Sequence, residues 1–341
     1  MREVTPETAA EYLRERGRVP DGRDVRVQAL GWGVSNVVMR VDVAGEPPFV
    51  LKQARERLRT KALWISRLER IWTERAALDL LGLVLPDGVT PRVLFAEPDD
   101  FLFAMTCAPD DSVVWKERLL AGEADVAVAR AAASILGSIH VETLGHPALQ
   151  DGSLAETVVF EQLRVDPFYR TIVRAHPDLA PEIHSLIESL AMPVVRTFVH
   201  ADFSPKNILV HSTGLTLVDF ETAHAGDPAY DLGFVLSHLL LKGVRAAPAD
   251  GSLLALTRVF HDAYLERVGA RLDTGLVPRA CLHAAACSLA RVDGTSPVDY
   301  LDAPSQASVR RFARAALREQ PATWDETLQL LAREMRPALL D

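Results

Sequence analysis

Phe198-Val-His-Ala-Asp-Phe-Ser-Pro-Lys-Asn-Ile-Leu-Val210, followed by Leu217-Val-Asp-Phe-Glu221, decides the reading of this chain. An apolar strand delivers His200 and Asp202 onto a loop, and Asn207 stands five residues after Asp202. A second hairpin strand, ending at Asp219, brings its carboxylate beside them. Three oxygen-bearing side chains then converge at one end of a sheet. Such ligands suit Mg²⁺, which takes one or two protein oxygens and completes its octahedron with substrate phosphates and water.

Outward from this stretch, the amino-terminal part reads mainly as strands. Thr5 as cap, Pro6 at the first helical position and Gly17 as stop bracket a short helix. Arg26–Leu30 leads into Gly31-Trp-Gly33. Val37, Met39, Val41 and Val43 then alternate with polar Arg40 and Asp42, the period of a half-buried strand. Gly45, Pro47 and Pro48 turn the chain into Phe49–Lys52, completing a three-stranded antiparallel meander. Lys61–Leu81 contains neither Gly nor Pro and reads as one helix burying Leu63, Leu68, Ile71, Leu78 and Leu81. The apolar runs 91–96 and 101–106 form a hairpin. Beyond Ala108 the character changes. Asp125–His140 is Ala-rich and helical, with His140 packed in the core, and most of the chain after residue 222 is helical in pattern. An island of strands lies at 197–199, 208–210 and 215–219. These patterns predict an α+β protein of two lobes. Residues 1–108 are antiparallel sheet plus a helix, and 109–341 are mostly helices around a small sheet. Two lobes joined by a short connection make a natural cleft.

Composition narrows the functions. The 341 residues are 48% hydrophobic, enough for one large or two modest cores, which excludes a disordered chain. A net charge of −9 argues against a nucleic-acid or anionic-membrane partner. No apolar run reaches the roughly 18–20 residues of a spanning helix. Cys107, Cys281 and Cys287 fit neither a disulfide framework nor a zinc site, and the start MREVTPET lacks the apolar core of a secretory signal. A cytoplasmic protein is expected; its oligomeric state is not legible. The chain uses 32 Arg but only five Lys, at 52, 61, 116, 206 and 242, so each lysine carries information.

The spacing H-x-D-x-x-x-x-N followed by D-x-E is that of a phosphotransferase catalytic loop and its metal-binding aspartate. On His200, Asp202, Pro205, Asn207, Asp219 and Glu221, then Gly226-Asp-Pro-Ala-Tyr-Asp-Leu232, the sequence resembles the aminoglycoside phosphotransferase and choline kinase family, relatives of the protein kinases. The stretch from Val50 through Glu74 also resembles methylthioribose kinases. The resemblance implies a bilobal protein-kinase-like fold and transfer of the γ-phosphoryl group of ATP, with Mg²⁺, to a hydroxyl of a small molecule. It implies that Asp202 is the catalytic base, that His200 braces the loop, that Asn207 and Asp219 hold magnesium, and that Asp231 caps loop amides. Glu221 either extends the metal set or sits at the surface.

Lys52 ends an apolar strand, where an ammonium is costly to desolvate unless it meets an anion. It is the expected phosphate-contacting lysine, paired with Glu74 in preference to Glu69. The turn holding Gly31, Gly33 and Ser35 either covers the nucleotide phosphates or simply closes a hairpin. Backbone around Met105 and Cys107 would meet adenine. Only eleven residues separate Asp219 from Asp231, too few for a peptide platform, which favours a small acceptor. Acceptor contacts are expected from 160–170 and 289–301, and the acidic balance suits a cationic acceptor such as an aminoglycoside. A methylthioribose- or choline-type metabolite kinase, a non-catalytic nucleotide-binding protein of the same fold, and a metal-dependent hydrolase built on His200, Asp202 and Asp219 are the alternatives.

Overall fold

Strands β1 (Val25–Ala29), β2 (Asn36–Val43) and β3 (Phe49–Ala54) form the expected meander, with Met39, Val41 and Val43 of β2 turned into the core. The computed structural model describes residues 1–31, 36–55, 66–247 and 250–335. The hairpin β4 (Val93–Glu97) and β5 (Leu102–Thr106) completes an antiparallel sheet ordered β1-β2-β3-β5-β4. β3 is central and buried along its whole length, which is why Phe49–Lys52 reads as an apolar run without alternation.

Helix α1 (Ala9–Glu15) sets Tyr12 and Leu13 against Met39, Leu51 and Ala104 on one face of the sheet. It starts later than Pro6 because Thr5 and Thr8 bond each other in a preceding turn. Helix α2 (Arg70–Val84) lays Ile71, Ala77, Leu78 and Leu81 toward the opposite face, with Val50 and Phe103. The expected start at Lys61 lies outside the described residues, as does Leu63. Ser66–Glu69, however, are not helical, since the carbonyls of Ser66 and Arg67 accept from the Arg70 guanidinium rather than from helix amides.

The chain leaves this sheet at Thr106 and enters the second lobe through β6 (Val113–Val114). Helices α3 (Trp115–Leu120) and α4 (Val126–Glu142) follow, the latter capped by Asp125. A short α5 (Val158–Phe160) runs directly into a π-helix, Glu161–Arg170, then α6 (Thr171–Ala175) and α7 (Ala180–Ala191). The island of strands is two sheets rather than one. β7 (Thr197–Val199) pairs with β10 (His224–Gly226), while β8 (Ile208–His211) and β9 (Gly214–Leu217) pair with β6. Asp219 lies beyond the end of β9, not on it.

Helix α8 (Pro228–Ala246) runs through the middle of the lobe, buried from Pro228 to Val244. α9 (Ser252–Val268), α10 (Leu276–Asp293), α11 (Ala303–Glu319) and α12 (Trp324–Met335) pack around it. Gly233 allows α8 to approach α10 closely, since a Cβ there would come within 2.5 Å of the Ala280 carbonyl.

The second lobe buries several histidines. His140 is fully buried, as expected, against the Tyr264 hydroxyl at 2.7 Å. Burial holds His224 and His283 down at about 4. Protons that the unfolded chain accepts near pH 6.5 are therefore refused by the folded one until about pH 4. Stability falls as pH drops through that window, by on the order of 3 kcal/mol per histidine over its full width. Glu74, held up at about 7, acts in the opposite sense and offsets part of the loss. The thermal midpoint should fall between pH 7 and pH 5, and a midpoint that rises or stays flat would count against neutral burial.

Candidate active site

The loop after β7 is shaped by one carboxylate. Asp231, in the first turn of α8, accepts from the backbone N–H groups of His200 (2.7 Å) and Ala201 (2.8 Å). These bonds hold Ala201 in the left-handed region at φ 60°, a conformation costly for a side chain bearing a Cβ. The His200 ring is buried against Phe220 at 4.5 Å, and its Nδ1 accepts from the Asp202 amide at 3.3 Å. Desolvation keeps this imidazole below its ordinary value, so it braces the loop as a neutral ring.

Asp202 is thereby turned inward, and its two oxygens are treated differently. Oδ2 accepts from Asn207 Nδ2 (2.8 Å), Lys206 Nζ (2.8 Å) and Arg164 Nη2 (3.0 Å). Oδ1 takes no hydrogen bond among the described residues. Burial alone would raise this carboxyl, but Arg164 and then Lys206 hold it below the usual range, so it is ionised at neutral pH. Arg164 comes from the π-helix and also donates through Nε to the Ala201 carbonyl at 2.6 Å. In a π-helix residues five apart share a face, and Leu163 with Phe168, and Arg164 with Tyr169, are buried together.

Lys52, 4% exposed, is shared by two carboxylates. Its Nζ lies 2.6 Å from Glu74 Oε2 and 2.8 Å from Asp219 Oδ1. Burial would pull the ammonium down, yet Asp219 and Glu74 hold it above its ordinary value. Burial pushes Glu74 up to about 7 against the pull of Lys52, while Lys52 and then Lys206 overcome burial to keep Asp219 well below the usual carboxylate range. Asp219 itself adopts φ 71°.

A cleft of about 350 Å³ opens between the lobes. Val38, Val50, Leu209 and Val218 wall it, Met105 and Cys107 line it where the lobes connect, and Lys52, Asn207 and Asp219 face it with Lys206. Asn207 gives its amide nitrogen to Asp202, at both the backbone carbonyl (3.0 Å) and Oδ2, which leaves its oxygen for a cation. That oxygen and the Asp219 carboxylate form a hard donor pair on one cleft, as Mg²⁺ requires.

Glu221 is engaged elsewhere and does not line the cleft. It is 6% exposed rather than at the surface, and its Oε2 accepts from Asn36 Nδ2 (2.8 Å) and Arg70 Nε (3.0 Å). Arg70, fully buried, also donates to the carbonyls of Arg55, Ser66 and Arg67, tying both lobes together beside the cleft.

Residues 26–267 match the phosphotransferase enzyme family. The chain belongs to that family. In structure this phosphotransferase is similar to a choline/ethanolamine kinase family protein from Mesorhizobium loti, with TM-score 0.54, 17% identity, and 97% of this chain and 96% of that one covered. It is similar also to the macrolide 2'-phosphotransferase from Brachybacterium faecium, with TM-score 0.54, 20% identity, and 98% and 100% covered. The choline kinase from Cryptosporidium parvum Iowa II gives TM-score 0.54 at 10% identity, with 97% and 94% covered. These likenesses show the bilobal protein-kinase-like fold. No curated protein matches in sequence.

Lys52, Glu74, Asp219, Asn207, Asp202 and His200 are thus brought together from both lobes. Gly31 is exposed and does not line the cleft, while Gly33 and Ser35 lie outside the described residues. Sequence reasoning passed over Arg164, Lys206, Arg70 and Asn36. Lys206 was findable, as one of five lysines and the neighbour of Asn207. Arg164 was not, because only the π-helical turn aims it at Asp202.

Proposed function

We propose that this phosphotransferase is an ATP- and Mg²⁺-dependent kinase of a small-molecule hydroxyl. The carrying observation is that one cleft ends on Lys52 and Asp219, with Asn207 joining them to an ionised Asp202. Asn207 and Asp219 would hold the metal, which supplies charge neutralisation on the phosphates when bound. Lys52 binds and orients a phosphate from the opposite lobe, fixed in place by Glu74.

Asp202, anchored through Oδ2, presents Oδ1 to the acceptor hydroxyl and takes its proton as the oxygen attacks in line. No covalent enzyme intermediate is needed, since positioning and charge do the work. The adenine fits between Val38, Val50 and Leu209, beside the backbone of Met105 and Cys107. Residues 220–230 support a small acceptor, being buried throughout and offering no peptide platform. A cytoplasmic setting, where ATP is supplied, suits three cysteines that are all free thiols. Among the described residues no helix is long and apolar enough to cross a membrane.

The test is ADP release from Mg²⁺–ATP across panels of cationic, neutral and anionic hydroxylated compounds, with Asp202→Ala as blank. Acceptor-dependent release absent from the blank supports the reading. Release that is equal in the blank, or absent for every acceptor, overturns it.

A further inference from the structure

On α8 and α10 stand basic side chains that the phosphotransfer machinery does not use. Lys242, on α8, is 2% exposed and donates only to the His238 carbonyl at 3.1 Å, with its ammonium 5.4 Å from the centre of the Tyr300 ring. Arg291, at the end of α10, donates through Nη1 to Ser296 at 3.1 Å, and its buried Nε has no hydrogen-bond partner among the described residues. Lys242, Arg291 and Lys116 of α3 form no ion pair among the described residues.

The charged and titratable groups facing Lys242 make matters worse for it. Burial, then Lys116 and Arg291, lower the Lys242 ammonium to about 7, with no carboxylate opposing them. His238 is buried and neutral among Lys242, Arg291, Lys206 and Lys116. Arg291 in turn is within electrostatic range of Asp202, Arg164 and Tyr300. Asp202 is already held by Arg164 and Lys206, and Asp299 beside Tyr300 is exposed. The buried hydroxyls of Ser288 and Tyr300 also lack hydrogen-bond partners among the described residues. Unpaired buried cations and idle donors on facing helices are what a built anion site presents before its ligand arrives.

Resting on the kinase reading, we infer that the acceptor carries, besides its hydroxyl, an anionic oxygen group, a carboxylate or a phosphate, which Lys242 and Arg291 bind. This reverses the expectation of a cationic acceptor drawn from the overall charge. The acid residues that set the net charge are spread over the molecule, whereas the two side chains that ion-pair with Asp202 are Arg164 and Lys206.

The experiment compares kcat/KM, by ADP release, for hydroxy acids (D-gluconate, D-glycerate), sugar phosphates (D-fructose 6-phosphate, glycerol 3-phosphate), D-glucose, choline and kanamycin. One anionic arm should exceed the neutral and cationic compounds by ~10-fold or more, and which arm leads identifies the anion. With that acceptor, Lys242→Met should raise KM ~10-fold or more with a smaller effect on kcat, and Lys242→Arg should restore most of it. A lysine that only supports the fold would instead lower the thermal midpoint and spare KM. Preferred turnover of glucose, choline or kanamycin, or an unchanged KM in a folded Lys242→Met protein, overturns the inference while the kinase reading stands. No ADP release with any compound overturns the kinase reading and this inference with it.

Discussion

Replacing Asp202 with Asn should leave a protein that binds Mg²⁺–ATP normally and transfers phosphate ~10²–10⁴-fold more slowly, the range that a positioned general base supplies. The amide has nearly the shape of the carboxylate, so its oxygen still accepts from Asn207, Lys206 and Arg164 and the loop keeps its form. What disappears is an atom able to take the hydroxyl proton. The change also removes the carboxylate charge that pairs directly with Arg164 and Lys206, so some loss of thermal stability accompanies it. On the proposed function the nucleotide contacts come from Lys52, Asn207 and Asp219, so the dissociation constant for a non-hydrolysable Mg²⁺ nucleotide should stay within ~3-fold. A kcat within ~10-fold of the parent would remove Asp202 from the role of base.

The largest effect on stability is expected at Arg70, where Arg70→Met should cost about 3–5 kcal/mol. Arg70 is fully buried and its donors serve Glu221 and the carbonyls of Arg55, Ser66 and Arg67. Methionine fills much of the volume but leaves a buried carboxylate and carbonyls short of donors, the costly half of an ion pair. A fall of about 5–15 °C in the thermal midpoint follows from the usual scaling of midpoint with stability. Because Glu221 is two residues from Asp219, nucleotide affinity should weaken as well. Pairing the change with Glu221→Leu should recover part of the stability, since the orphaned charge is then gone. A midpoint within 2 °C of the parent on Arg70→Met would show the clasp to be unimportant.

Much of this arrangement was legible in the sequence wherever an apolar period or a local spacing carried it. The alternation Val37–Val43 and the apolar run at Phe49 placed the first sheet, and H-x-D with Asn207 marked the loop after β7. Lys52 stood out because lysine is scarce. Glu221 is buried where one of its two readings put it at the surface, because its partners Asn36 and Arg70 lie some 150 residues or more away and no local pattern joins them. The late start of α2 has the same origin, since a side chain takes the carbonyls that would have continued the helix.

The π-helix Glu161–Arg170 has a consequence for how this chain can vary. Its buried pairs are spaced by five, and α-helical neighbours are spaced by three or four. Loss of a single residue would return the segment to an α-helical winding and swing Arg164 away from Asp202, with Tyr169 leaving His283. Related chains that keep this contact should therefore differ here by substitution and hold the length of the segment constant, even where the loops on either side grow or shrink.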